Sequence, residues 1–141
     1  MGPISQKEAD ATMELVLDHG VNHIDVAPTY SDAELRLGPW LEKYRDRFFL
    51  GCKTELRGRE EARQQLHHSL EHLRVDSFDL FQLHAVTTME DLERCFAPGG
   101  SMELQLSAES ALLPGLRWTL RDARGRDLMR LLDWPAAWAG L

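Results

Sequence analysis

The sequence predicts an α/β fold in which parallel strands alternate with helices. Three apolar runs of strand length, at about residues 21–26, 48–53 and 78–84, are separated by segments with helical spacing. Parallel strands joined in this way present their carboxyl ends on one face, where the active sites of such sheets lie. Four residues with acidic, phenolic, amine and imidazole side chains close these runs or follow them: Asp25, Tyr30, Lys53 and His84. We therefore expect a proton-transfer set at that face.

The first two helices are predicted from their end signals. Ser5 and Glu8 have the spacing of a capping box, and Gly20 suits the left-handed residue that follows a helix. A second helix is expected over about residues 33–44, capped by Asp32 or Ser31, with Pro39 as an interior irregularity.

Two further helices complete the alternation. The third is expected over about residues 59–73, because four apolar residues fall on one face: Ala62, Leu66, Leu70 and Leu73. The fourth begins near Thr88, which stands three residues before Asp91 in a cap-like pattern, and stops before the Pro-Gly-Gly run at residues 98–100.

Composition argues against several classes of function. The 141-residue chain carries a net charge of −7 and has no basic patch with interleaved aromatic residues, so nucleic acid is not an expected partner. Cys52 and Cys95 match no metal or redox spacing and are expected to be free thiols in a reducing compartment. The sequence shows no signal-peptide pattern and no long apolar run, so we expect a soluble, cytoplasmic protein.

Several spaced motifs resemble the aldo-keto reductase family. Residues Gly20-Val-Asn-His-Ile-Asp-Val-Ala-Pro-Thr-Tyr30 are similar to its G-[VI]-N-x-[IF]-D-T-A-x-x-Y signature, with Val26 in place of the usual Thr and Ser31 in place of the usual Gly. Further matches follow in family order: Glu34-Leu-Arg-Leu-Gly38, Lys53-Thr54, and the Ser-Leu to His pattern from Ser69 to His84. The resemblance runs from about residue 5 to residue 100.

The resemblance implies a (β/α)₈ barrel and the NAD(P)H-dependent reduction of an aldehyde or ketone to an alcohol, with NADPH as the cofactor that the family suggests. By analogy Tyr30 donates the proton, Lys53 and Asp25 form its tuning pair, and His84 orients the substrate oxygen. Taken one at a time, each of these residues more often has a structural role than a catalytic one. Their occurrence together, in the family's order and sequence contexts, favours common ancestry with the family.

Length conflicts with a whole barrel. Such a barrel needs about 250 residues, so this chain resembles only the second to fourth strand–helix units. The family holds the cofactor's phosphates mainly in its last two units, so we expect this chain alone to bind no measurable cofactor. Three strands also leave two open sheet edges, through which two chains could pair.

The chain changes character after about residue 100. Residues 101–141 contain no Ile, Val, Phe, Tyr or Lys, yet hold ten Leu and three of the four Trp. We divide the chain into a partial barrel, 1–100, and a divergent tail, 101–141. A reading-frame shift and a diverged capping helix both explain the tail, and we favour the first. Beyond about residue 105 we expect helical or irregular structure with no parallel strand.

Other candidate sites are weaker. His68 and His72 lie four residues apart on the third helix, but no third ligand is suggested, so no metal site is expected. Arg57, Arg59 and Arg63 could bind phosphate, although scattered charges on an acidic chain are expected to solvate the surface. The alternative to an enzyme is a non-catalytic fragment or association module of an aldo-keto reductase.

Overall fold

The computed structural model describes residues 4–106. Helices and strands alternate along this part of the chain, as predicted. In chain order they are α1 (Gln6–Asp18), β1 (His23–Asp25), α2 (Ala33–Tyr44), a 3₁₀ turn (Arg45–Arg47), β2 (Phe49–Thr54), α3 (Arg59–Leu73), β3 (Leu80–Leu83), α4 (Met89–Phe96) and α5 (Ser101–Leu106).

The sheet is parallel, in the order β1-β2-β3. Asp25 pairs with Gly51 across β1 and β2, and Lys53 pairs with Gln82 across β2 and β3. This register brings the carboxyl ends of the three strands to one edge. The architecture is that of a partial (β/α)₈ barrel, so the predicted fold class is confirmed.

Local signals set the helix ends. The capping box at α1 is present: the Glu8 amide donates to Ser5 Oγ, and the Ser5 amide donates to a Glu8 carboxylate oxygen at 2.8 Å. Asp32 is the N-cap residue of α2, but its side chain makes no capping hydrogen bond and instead pairs with Arg36 at 2.7 Å. Pro39 lies inside α2 without ending it.

The first and third strands are shorter than predicted, whereas β2 has the predicted length and is shifted by one residue. The Val21 amide bonds back to the carbonyl of Val16, so the chain is still closing α1 where a strand was expected to begin. Phe78 precedes β3 and is fully buried, so its apolar character reflects core packing rather than strand pairing. Apolar runs therefore marked the strands, but their ends were decided by neighbouring contacts.

The hydrophobic core lies between the sheet and the helices α2 and α3. Its largest fully buried side chains come from both layers: Leu41, Leu50, Leu66, Leu73, Phe78 and Phe81. Gly38 allows α2 and α3 to approach closely, because a Cβ atom at this position would collide with the carbonyl oxygen of His72.

Helix α5 was not predicted. It packs against α3, and its Leu104 is buried in the core, so the chain continues to contribute to the packed structure just past the Pro-Gly-Gly run. The expectations for the tail beyond residue 106 fall outside the described residues. Among residues 4–106, none of the helices is both long and apolar enough to cross a bilayer.

Candidate active site

The four predicted site residues lie together at the carboxyl edge of the sheet. Asp25 is the last residue of β1, Lys53 is the penultimate residue of β2, and His84 follows β3 directly. The His84 amide donates to the Thr54 carbonyl at 2.8 Å, which keeps the end of β3 in register with β2. Tyr30 stands on the loop between β1 and α2.

A short ion pair joins the first two strands. Lys53 Nζ lies 2.5 Å from Asp25 Oδ1 and 3.5 Å from the carbonyl oxygen of Val26. The Lys53 side chain is 11% exposed, whereas that of Asp25 is 48% exposed. The ammonium is therefore mostly withdrawn from water, and its carboxylate partner faces the solvent. A cation removed from water needs such a partner.

Tyr30 is placed by its loop against both neighbouring groups. Its amide donates to the Ala27 carbonyl at 2.9 Å, and the following residue, Ser31, has a φ of +56°. Lys53 Nζ lies 5.1 Å from the centre of the Tyr30 ring, within cation–π range. The rings of Tyr30 and His84 meet edge to face, 5.6 Å apart at an angle of 89°.

The surroundings of His84 include residues that the sequence did not single out. Its Nδ1 atom is buried without a hydrogen bond among the described residues, and Glu55 Oε1 lies 3.5 Å away. Arg57 donates to the carbonyl oxygens of His84 and Ala85, at 3.0 and 3.1 Å. Neither contact had a sequence signal, because both depend on how the loop after β2 folds over the end of β3.

The expectation that Arg57 is a solvated surface charge was wrong. Its side chain is only 9% exposed, and its Nε atom lies 3.5 Å from Asp91 Oδ1. Arg59 and Arg63 are more exposed, at 48% and 39% of their side chains. Arg57 differs from them because backbone carbonyls at the end of β3 draw its guanidinium inward.

A cavity of about 200 Å³ lies between α2 and α3 on the helix side of the sheet. His68 and His72 line it and are exposed, and His72 Nδ1 lies 3.2 Å from Oε2 of the buried Glu34. No group of three or more potential metal ligands occurs within residues 4–106.

Cys52 lies beneath this cavity in the core. Burial, with the nearby charge of Glu34 as the next cause, raises the pKa of the Cys52 thiol to about 12. The thiol lies 3.7 Å from Glu34 Oε1, so it is held in its neutral form as a weak donor. Cys52 is a packing residue with low reactivity, although it is adjacent in sequence to Lys53.

The arrangement and the sequence together identify the family. The family model for aldo/keto reductases matches residues 1–108. The chain belongs to the aldo/keto reductase family. A comparison with curated proteins gave no match.

Solved aldo-keto reductases have the same fold. One from Klebsiella pneumoniae, in complex with NADPH, is 24% identical with a TM-score of 0.63, over 90% of this chain and 43% of that one. MGS-M4, an aldo-keto reductase from a Medee basin deep-sea metagenome, is 20% identical with a TM-score of 0.66, and the match covers 92% of this chain and 46% of that one. A Pseudomonas aeruginosa protein assigned to the aldo-keto reductases is 24% identical with a TM-score of 0.71, and the match covers 89% of this chain and 53% of that one. This family member thus spans about half the length of the structures that it resembles.

Proposed function

We propose that Asp25, Tyr30, Lys53 and His84 form the acid–base part of a site for NAD(P)H-dependent reduction of an aldehyde or ketone to an alcohol. The observation that supports this most is the continuous contact among the four groups. The ammonium of Lys53 pairs with Asp25 and lies 5.1 Å from the ring centre of Tyr30, and that ring meets His84 edge to face. The family membership supplies the reaction class.

The donor set fits the chemistry of a nicotinamide cofactor. The Tyr30 side of the cluster is open, because this residue is 42% exposed, so a carbonyl compound and a cofactor can approach it. The Klebsiella structure is an NADPH complex, which favours NADPH here. When bound, the reduced nicotinamide supplies a hydride to the carbonyl carbon.

Each residue has a distinct task in this proposal. Negative charge develops on the substrate oxygen, and Tyr30 donates its phenolic proton to that oxygen. Lys53, held by Asp25, stabilises the negative charge left on the tyrosine. His84 donates a hydrogen bond to the same oxygen and orients the substrate.

The same proposal holds that the isolated chain turns over little or no substrate, because the chain spans about half the length of its structural relatives. Fluorescence titration of the 141-residue chain with NADPH is expected to detect no binding. A chimera tests the chemistry directly: residues 1–108 of this chain replace the matching segment of the Pseudomonas relative. The chimera is expected to oxidise NADPH in the presence of an aldehyde.

Tyr30→Phe in that chimera is expected to lower turnover by about 10²–10⁴, the usual contribution of a positioned general acid. Tyr44→Phe is the matched control, because Tyr44 is the other tyrosine of this chain and stacks on Trp40 in α2, away from the cluster. An active chimera that Tyr30→Phe leaves unchanged would refute the proton-donor role. Tyr30-dependent turnover by the chain alone would show that no further segment is needed.

A second candidate function is self-association without catalysis. Within residues 4–106, β1 and β3 each pair with β2 alone, so each leaves one edge that another strand can join. Sedimentation of the full chain distinguishes this candidate: dimers with no NADPH binding favour it, and monomers oppose it. Two free, buried thiols, Cys52 and Cys95, support the cytoplasmic location that we propose for either function.

A further inference from the structure

The backbone that follows β3 adopts an unusual conformation beside the candidate active site. Ala85 has a φ of +53°, a region that side chains with a Cβ atom rarely occupy. Such a conformation persists only where surrounding contacts hold it. His84 directly precedes Ala85. The contacts that hold the backbone turn at Ala85 therefore also fix the orientation of the His84 side chain.

Arg57 makes the contacts that can hold this turn. A single nitrogen, Nη2, donates to the carbonyl oxygens of His84 at 3.0 Å and Ala85 at 3.1 Å. Hydrogen bonds from a charged donor are stronger than neutral ones, and the side chain is only 9% exposed, so water competes little for them. The Asp91 carboxylate at 3.5 Å from Nε helps to hold the guanidinium in place.

The loop that carries Arg57 is itself fixed on its other side. The Arg57 carbonyl accepts a hydrogen bond from the Ser101 amide at 2.8 Å, and the Arg59 amide donates to the Gly99 carbonyl at 2.8 Å. Arg57 therefore connects the end of β3 to the segment that leads into α5. This connection makes the position of His84 depend on residues that do not touch the cluster.

We propose that Arg57 is a positioning residue for His84. By holding the His84 and Ala85 carbonyls, it keeps the imidazole edge-on to the Tyr30 ring at 5.6 Å. The value of this position for substrate orientation rests on the function proposed above for His84. The position itself is measurable without turnover, so the two proposals can fail separately.

The test uses Arg57→Gln in the full 141-residue chain and amide hydrogen exchange followed by NMR. Two amides at strand carboxyl ends are compared: His84, bonded to the Thr54 carbonyl, and Val26, bonded to the Gly51 carbonyl at 3.0 Å. Exchange at His84 is expected to accelerate about tenfold or more, because charge-assisted bonds beside it are lost, while Val26 is unchanged.

Ring contacts give a second readout. The nuclear Overhauser effect between Tyr30 and His84 is expected to weaken, while that between His23 and Phe49, whose rings lie 5.0 Å apart, keeps its intensity. Arg59→Gln is the matched control, because this arginine lies two residues further on, at the start of α3, but pairs with Glu103 and is 48% exposed. It should leave both ring pairs unchanged.

Equal acceleration at His84 and Val26 would show a general loss of stability and would overturn the proposal, as would no change at either. Asp91→Asn covers the case in which Arg57→Gln does not fold. It removes only the charge that holds the guanidinium, and the expected result is the same selective change at His84, smaller in size. A folded Asp91→Asn chain with unchanged His84 exchange would also overturn the proposal.

Discussion

The two faces of β2 differ sharply, although their residues alternate along one strand. On the face toward α2 and α3, Leu50, Cys52 and Thr54 are all fully buried. On the opposite face Phe49 is 46% exposed, and Lys53 pairs with the carboxylate of Asp25, whose side chain is about half exposed. One face is a packed core, and the other carries charge at an open surface.

The polar groups on the two faces are satisfied in different ways. On the helix face, Thr54 Oγ1 donates to the Gln65 side chain of α3 at 2.7 Å, away from solvent. On the open face, Lys53 is paired with Asp25, whose side chain water still reaches. Proton transfer needs access and charge, and a rigid sheet is needed to hold the groups in place. The packed face supplies the rigidity that the open face uses.

The largest expected difference between the faces is chemical. Alkylation of Cys52 by iodoacetamide at neutral pH should be at least about 10³-fold slower in the folded chain than in urea, because only the thiolate reacts and burial disfavours it. Peptide mass spectrometry distinguishes Cys52 from Cys95. Equal labelling of Cys52 in folded and unfolded chains would show that water reaches the helix face.

The same thiol predicts a dependence of stability on pH. Its pKa is raised from an ordinary 9.0 to about 12, so the folded state holds this proton more tightly than the unfolded state. This contribution is complete below about pH 9 and is lost as the pH rises toward 12. Urea midpoints should therefore fall more steeply above pH 9 in this chain than in Cys52→Ala. Parallel curves would contradict the prediction.

Two neighbouring truncations on β2 compare the faces in free energy. Leu50→Ala should lower the free energy of unfolding by about 2–5 kcal/mol, since it leaves a cavity in the packed core. Phe49→Ala should cost less than about 1 kcal/mol despite removing more atoms, since that side chain is about half exposed. Similar losses in urea unfolding would show that the second face is also packed.

The contact between α2 and α3 gives a smaller effect. Gly38→Ala should destabilise the chain by about 1–3 kcal/mol, because the new methyl group meets the His72 carbonyl, and this clash outweighs the better helix propensity of alanine. Leu35→Ala, at a position 55% exposed in the same helix, should change stability by less than about 0.5 kcal/mol. Thermal unfolding of both variants measures the difference. A more stable Gly38→Ala chain would mean that the helices can separate at little cost.

The last comparison of stability concerns the candidate active site on the open face. Asp25→Asn should cost about 1–2 kcal/mol, because solvent screens the carboxylate, which is 48% exposed, while the Lys53 ammonium, only 11% exposed, loses its charged partner. Asp32→Asn, which breaks the surface pair with Arg36, is the matched control in urea unfolding. A loss above about 2 kcal/mol at Asp25 alone would show that this pair is part of the packed structure.

Local patterns predicted much of the fold. The bounds expected for α2 and α3 agree with the structure, since their signals are periodic apolar residues and nearby caps. Helix α5 was missed because its six residues are too few for periodicity, and what holds it is packing against α3. Family motifs and strand ends also anticipated which four residues meet, although their catalytic roles remain a proposal.

The sequence by itself determined the alternation of strands and helices, the family and the candidate acid–base residues, because each of these depends on local spacing. Only the tertiary structure decided which charges are buried. Arg57 and Arg59 are two residues apart with the same side chain, yet one is 9% exposed and the other 48%. The physical reason is that burial of a guanidinium requires carbonyl and carboxylate partners, and those of Arg57 lie 27 to 34 residues away along the chain.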